Sequence, residues 1–280
     1  MADKSSDLSA TYISSERADA WQRESRRRKD SSGAATEMLL NLADLRIGDR
    51  VLEVAAGTGD QALMISRIVG PSGHVVAVDI SPNMLTHAAK AASEAGLANI
   101  ETRVMSAEKL DFEENSFDAV LCRFGLMLFP QPLTALAEMH RVVKPTRKVA
   151  VMVWSTAENN PFHGLPLQVV RNIGNLPAPA SGRPGLFSLS GAGVLEGVYK
   201  QAGFSDVAIH RAALRRKFAS LQDAIQTIKG SMAVLQDLMA KLNAADQARA
   251  WEQIEMEMSR FVGPNGFDAP GEALIGVGPK

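Results

Sequence analysis

Val51-Leu52-Glu53-Val54-Ala55-Ala56-Gly57-Thr58-Gly59-Asp60 reads as a buried strand that runs into a glycine turn and then a helix. Val51, Leu52 and Val54 supply an apolar run, and Gly57 and Gly59 let the backbone turn sharply and approach a ligand closely. Helical spacing follows at once in Leu63, Ile65, Ile68 and Val69 and stops at Gly70-Pro71. A strand, a glycine loop and a helix N-terminus together form a corner suited to a nucleotide-like ligand.

Working outward, short apolar runs alternate with amphipathic stretches. Strands are expected over 74–79, 100–105, 119–122, 148–154 and 206–210, and helices over 60–69, 82–95, 132–143 and 190–202. Ser81 suits a helix N-cap with Pro82 in the first turn, and Gly96 suits the helix end. Such alternation argues for an α/β fold, a mostly parallel sheet with helices on both faces. Upstream, 13–29 and 34–43 read as helices separated by Ser31-Ser32-Gly33, and 1–15 is small, polar and expected to be loose. The tail changes character. Residues 221–261 form a long helical stretch with Met232, Leu235, Leu238, Met239 and Leu242 at helical spacing, and a last strand is expected over 273–277.

The chain has 280 residues, 46% of them hydrophobic, enough for a sizeable core. A formal net charge of −1 provides no global field for nucleic acid or an anionic membrane. The local basic cluster Arg23, Arg26, Arg27, Arg28 and Lys29 reads as the solvated face of an N-terminal helix. A single cysteine, Cys122, excludes an internal disulfide and fits a reducing compartment. The first thirty residues lack an apolar signal region, and no apolar run approaches the ~20 residues of a membrane span, so a soluble cytoplasmic protein is expected. No metal-ligand spacing is present, neither HExxH nor CxxC.

Gly57-Thr58-Gly59-Asp60-Gln61-Ala62 matches GxGxxA, one form of the dinucleotide fingerprint, and Asp79 ends the next strand twenty positions after Gly59, where a ribose hydroxyl is bound. These two features do not separate a nicotinamide dinucleotide from S-adenosylmethionine. Three further features do: Glu53, a carboxylate inside the strand before the loop that suits a ligand with an ammonium group better than one with a pyrophosphate; the stretches 106–110 and 115–118 around the third and fourth strands; and a closing strand at the end of the sequence. With VLEVAAGTGD from Val51, VVAVDIS from Val75, AEKLDFEENSFDAV from Ala107, and RVVKP followed by VAVMVW, the chain resembles the class I S-adenosylmethionine-dependent methyltransferases. It is similar to the group that includes the ubiquinone/menaquinone-biosynthesis C-methyltransferases.

The resemblance implies a Rossmann-like, seven-stranded, mostly parallel sheet whose last strand is antiparallel. It implies an N-terminal helical cap (1–44), a core (45–220 and 264–280) and a helical lid (221–263). S-adenosylmethionine is the implied cofactor. Glu53 matches the acidic residue at its methionine part, Ala55, Gly57 and Gly59 the turn beneath it, and Asp79 the carboxylate on the ribose. Ile80 and Met84 fall beside the adenine, Ser106, Ala107 and Glu108 on the adenine-edge loop, and Arg123 beside the methionine tail. Ala55 stands where relatives often have glycine, and Ser106 where they usually have an aspartate.

The implied reaction is methyl transfer to a small organic acceptor at C, O or N. Phe124, Met127, Trp154 and Phe162, at or just beyond strand ends, suit an apolar or aromatic acceptor pocket, though ordinary core packing is the plain alternative. Trp21 falls where an N-terminal helix folds over the cofactor. His163, in the expected loop after the strand 148–154, is the base candidate by position, and a surface loop histidine is the plain alternative. Two rival functions stay open at this level, a nicotinamide-dependent oxidoreductase using the GxGxxA corner and a non-catalytic cofactor-binding protein.

Overall fold

In a computed structural model, which describes residues 14–23, 25–179 and 182–280, the apolar runs become one sheet. Its strands are β1 (Arg50–Val54), β2 (His74–Asp79), β3 (Ile100–Val104), β4 (Phe117–Arg123), β5 (Val143–Trp154), β6 (Ala208–Phe218), β7 (Val262–Gly263) and β8 (Gly266–Pro279). They lie in the order β3-β2-β1-β4-β5-β8-β6, with the short β7 paired to β8. Neighbours from β3 to β5 are parallel, and β8 inserts antiparallel to both β5 and β6. The order reverses between β1 and β4. In an open parallel sheet that reversal opens a crevice at the carboxyl ends of the strands.

The two-residue period of a strand sends alternate side chains to opposite faces. Leu52, Val54, Val76, Val78 and Val120 pack on one face, and Val51, Val75, Ala77, Ala119 and Leu121 on the other. Burial on both faces is why these central strands read as continuous apolar runs. A third cluster, built around Phe162, Phe218, Ile228, Leu235, Ile254 and Phe267, joins the paired ends of β6 and β8 to the later helices.

The helices are α1 (Ser15–Arg23), α2 (Ser25–Leu42), α3 (Asp60–Val69), α4 (Pro82–Glu94), α5 (Pro132–Val142), α6 (Pro161–Ile173), α7 (Val194–Gln201), α8 (Leu221–Ser231), α9 (Ala233–Met239) and α10 (Ala244–Ser259). Ser81 caps α4, its hydroxyl accepting from the Met84 N–H at 3.3 Å, with Pro82 at the first helical position. Helix α3 starts at Gly59, whose φ is +83°; a Cβ there would lie 2.8 Å from the Ala88 Cβ of α4. The turn conformation and the close approach of two helices both exclude a side chain at that position.

Four expectations need correction. Ser31-Ser32-Gly33 does not break a helix, because α2 runs straight through it. Its buried Ala35, Leu39 and Leu40 pack on the sheet, and that packing outweighs the poor helix propensity of the three residues. The segment 190–202 is helical only from Val194. β6 and β8 are much longer than 206–210 and 273–277, pairing along eleven residues from Ala208↔Val277 to Phe218↔Phe267.

His163, finally, lies not in a loop but in the first turn of α6. Pro161, Gly164 and Pro166 hide that helix from a propensity reading, and a tertiary contact holds its start. The buried Asn160 side chain donates to Glu272 O at 2.9 Å and accepts from Glu272 N at 3.0 Å, stapling α6 to β8. The expected loose segment up to residue 13, and the Arg26, Arg27, Arg28 and Lys29 side chains of the basic cluster, lie outside the described residues.

Candidate active site

A cavity of about 330 Å³ opens at the carboxyl ends of the central strands. Trp21 of α1 and Met232, Ala233 and Val234 at the α8–α9 junction close it from above. At the end of β1 the chain takes a left-handed conformation at Ala55 (φ +57°), which costs a residue with a side chain roughly 1–2 kcal/mol and explains why glycine is common at such a position. The Trp21 indole nitrogen lies 3.5 Å from where a Cβ on Gly57 would stand, so the turn backbone faces the cavity beneath the indole.

Asp79 ends β2 and ties the turn together. Its carboxylate accepts from the Gly57 N–H and the Ser81 N–H, each at 2.9 Å. Burial raises its pKa, and backbone N–H groups of Ser81, Gly57 and Ile80 pull it back down. A carboxylate has about four acceptor positions, so these bonds leave capacity for ligand hydroxyls.

Glu53, on β1, is 2% exposed. One carboxylate oxygen has no hydrogen-bond partner, and the group also faces the Ala62 N–H at the start of α3. Burial pushes its pKa up to about 8, with Asp60 and Asp79 adding to the rise and Arg123 opposing it. The Arg123 pKa is itself lowered, again by burial first, so desolvation outweighs the attraction between the two groups on both sides. Arg123 is oriented by a 3.0 Å bond to the Thr36 hydroxyl of α2. A cationic ligand group beside Glu53 would restore the carboxylate's charge.

Ile80, Met84, Met105, Ser106, Ala107 and Glu108 line the end of the cavity at β2 and β3. The Ser106 hydroxyl accepts from the Glu108 N–H at 3.2 Å, and one Glu108 carboxylate oxygen accepts from the Gln131 N–H at 2.7 Å, just before α5. Both residues thus shape the loop as well as face the cavity.

The opposite wall is aromatic. Phe124, also left-handed at φ +58°, stacks on Trp154 with centroids 4.3 Å apart. Trp154 in turn lies 4.7 Å from the His163 ring. Burial and the nearby Arg216 cation hold the His163 pKa well below 6.5, so at neutral pH the imidazole is uncharged, and the same surroundings oppose its protonation.

Of the residues singled out in the sequence, the cavity brings together Trp21, Glu53, Ala55, Gly57, Asp79, Ile80, Met84, Ser106, Ala107, Glu108, Arg123, Phe124, Met127, Trp154 and His163. Two do not line it. Gly59 is spent on the α3–α4 approach, and Phe162 is buried against Phe218 with centroids 5.3 Å apart. Phe129, just beyond β4, also lines it, as do Ser31, Ser32, Arg216 and Thr227, which no local pattern in the sequence marks, because α2, β6 and α8 reach the cavity only through the tertiary fold. Among the described residues no cluster of three potential metal ligands occurs, and no helix is long and apolar enough to cross a membrane.

A sheet of this order with a glycine corner between two carboxylates defines a class, the Rossmann-like methyltransferases. Solved structures with the same fold include the YcgJ protein of Bacillus subtilis (TM-score 0.59, 20% identity, 88% of this chain and 97% of that one). Another is a methyltransferase of Haloferax volcanii solved with its Trm112 activator (TM-score 0.58, 18% identity, 94% and 95%). At these identities the likeness concerns the fold.

The profile of the ubiE/COQ5 methyltransferase family matches residues 34–176, just over half the chain, and the chain belongs to that family. A ubiquinone/menaquinone biosynthesis C-methyltransferase, UbiE of Pseudomonas putida, is 41% identical over 121 residues, 43% of this chain and 47% of that protein. The chain thus spans about half the length of the curated relatives it matches.

Proposed function

We propose that the protein transfers a methyl group from S-adenosylmethionine to a small, apolar or aromatic acceptor. The observation that carries this reading is Glu53, a buried carboxylate with an unpartnered oxygen beside the glycine turn, paired with Asp79 at the end of the next strand. An ammonium group beside Glu53 lets the carboxyl ionise and pairs with it, whereas a pyrophosphate brings negative charge that would hold it protonated, so the nicotinamide alternative is not favoured. Glu53 and Arg123 would hold the amino-acid part of the cofactor and Asp79 its ribose hydroxyls. Ile80, Met84, Met105 and Ala107 would enclose its adenine.

When bound, the cofactor supplies an already activated methyl group, so the chain's task is positioning and the exclusion of water. Trp21 from the N-terminal cap and the α8–α9 junction from the lid (221–263) would cover the site. Phe124 and Trp154 would seat a flat acceptor, and His163 would take the acceptor's proton at a ring nitrogen where the chemistry releases one. The same reading places the protein in the cytoplasm, supported by a single, buried cysteine.

Calorimetry with S-adenosylhomocysteine and NAD tests the cofactor: saturable binding of the first and none of the second is expected, and the reverse overturns the reading. Transfer of labelled methyl to a panel of phenols, enols and amines tests the reaction. His163→Gln is expected to lower turnover of an O–H acceptor by about 10²–10⁴-fold with cofactor affinity unchanged.

A further inference from the structure

Arg123 ends β4, lines the cavity, and lies within electrostatic reach of Glu53 on β1 and Asp60 at the start of α3. An arginine side chain has many rotamers, and the direction of its planar fork decides which anion it grips. Among the described residues the Arg123 guanidinium makes one hydrogen bond, donated at 3.0 Å to the Thr36 hydroxyl of α2, 87 residues away in the chain.

That hydroxyl is itself aimed. Thr36 is 1% exposed, and its oxygen donates to the Ser32 carbonyl, one helical turn back, at 2.8 Å. A hydroxyl has a single proton. With that proton spent on Ser32, the oxygen meets Arg123 only as an acceptor, which is what a guanidinium donor requires. The helix itself has no need of a hydroxyl here: threonine is a poorer helix former than alanine, and the bond back to the preceding turn slightly weakens a helix. The group that gains is Arg123. Its bond to Thr36 takes one of five guanidinium donors and leaves capacity for a planar, two-oxygen anion. On the methyltransferase reading, that anion is the carboxylate of the cofactor's amino-acid part, while Glu53 takes the ammonium.

We propose that Thr36 is a positioning residue: by holding the Arg123 fork it makes the site selective for a cofactor that carries a carboxylate beside its ammonium. This rests on the methyltransferase reading above and makes a residue of α2 part of cofactor recognition.

The test titrates the full chain, by calorimetry, with S-adenosylhomocysteine and with its decarboxylated analogue, 5′-deoxy-5′-(3-aminopropylthio)adenosine, which keeps the adenosine and the ammonium. The unmodified chain is expected to prefer S-adenosylhomocysteine by about tenfold or more, as charge-assisted bonds to one carboxylate require. Thr36→Val, which keeps the side chain's shape, should weaken S-adenosylhomocysteine by about three- to tenfold and leave the amine analogue unchanged. Thr36→Ser should restore the preference. In an Arg123→Gln background, where the preference is already gone, Thr36→Val should have no further effect. A purely structural role would weaken both ligands alike. Equal weakening or loss of both ligands in Thr36→Val, an unchanged preference there, or a preference that Thr36→Ser does not restore overturns the proposal. So does a Thr36→Val effect that persists in Arg123→Gln, or an unmodified chain that binds both ligands equally. An unmodified chain that binds neither ligand would instead sink the methyltransferase reading itself.

Discussion

Glu53→Gln tests the electrostatics of the corner most directly. In the folded, ligand-free chain burial raises the Glu53 pKa from 4.5 to about 8. A carboxyl whose pKa is higher folded than unfolded binds more protons in the folded state. Its stabilising contribution is therefore full below pH 4.5 and is lost as the pH rises toward 8. Between pH 5 and pH 8 this one group should remove about 3 kcal/mol of stability. Glutamine keeps the shape and does not titrate, so the wild-type advantage over Glu53→Gln should shrink by that amount across the interval.

Urea unfolding of both proteins at half-unit pH steps, without cofactor, measures the difference and cancels the other titrating groups. Parallel stability curves would refute the reasoning. A second readout comes from the ligand. If an ammonium group binds beside Glu53, binding of S-adenosylhomocysteine at pH 7 should expel close to one proton. The apparent enthalpy would then depend on the buffer's ionisation enthalpy in wild type and not in Glu53→Gln. No buffer dependence in wild type would mean that Glu53 is not the ammonium partner.

Three further outcomes are expected. Gly59→Ala should destabilise the fold by about 2–3 kcal/mol in urea unfolding, since its Cβ would come 2.8 Å from the Ala88 Cβ in a left-handed backbone. Asp79→Ala should weaken S-adenosylhomocysteine binding by about 1.5–3 kcal/mol in calorimetry, and unchanged affinity would mean that the ribose is held elsewhere. Tyr199→Phe, outside the cavity lining, should cost about 1–2 kcal/mol of stability with no effect on cofactor affinity, because the buried hydroxyl donates to Gly276 O at 2.7 Å and so locks α7 to β8.

Legibility in the sequence followed the range of the forces involved. The β1–turn–α3 corner, the Ser81 cap and the strands β2 to β5 were readable because alternation, glycine φ and capping act within a few residues. The full length of β6 was not. Its outward face carries Arg211, Arg215 and Lys217, which look like a charged loop until Glu272 and Asp268 of β8 pair with the two arginines. Helix α6 was missed for a related reason: its local propensity is poor, and the contact that starts it, Asn160 with Glu272, spans more than a hundred residues.

By itself the sequence determined the corner proposed to hold the cofactor. A strand that ends in Gly57-Thr58-Gly59, with an acid inside it and another ending the next strand, places those groups together through local geometry and one parallel pairing, Glu53↔Ala77. Only the tertiary structure decided the side proposed for the acceptor. His163 becomes an uncharged base candidate rather than a surface histidine because α6 buries it beside Trp154, and Arg216 faces the same cavity because β8 inserts between β5 and β6. Burial and charge at those positions belong to the packing of distant segments, which no local pattern encodes.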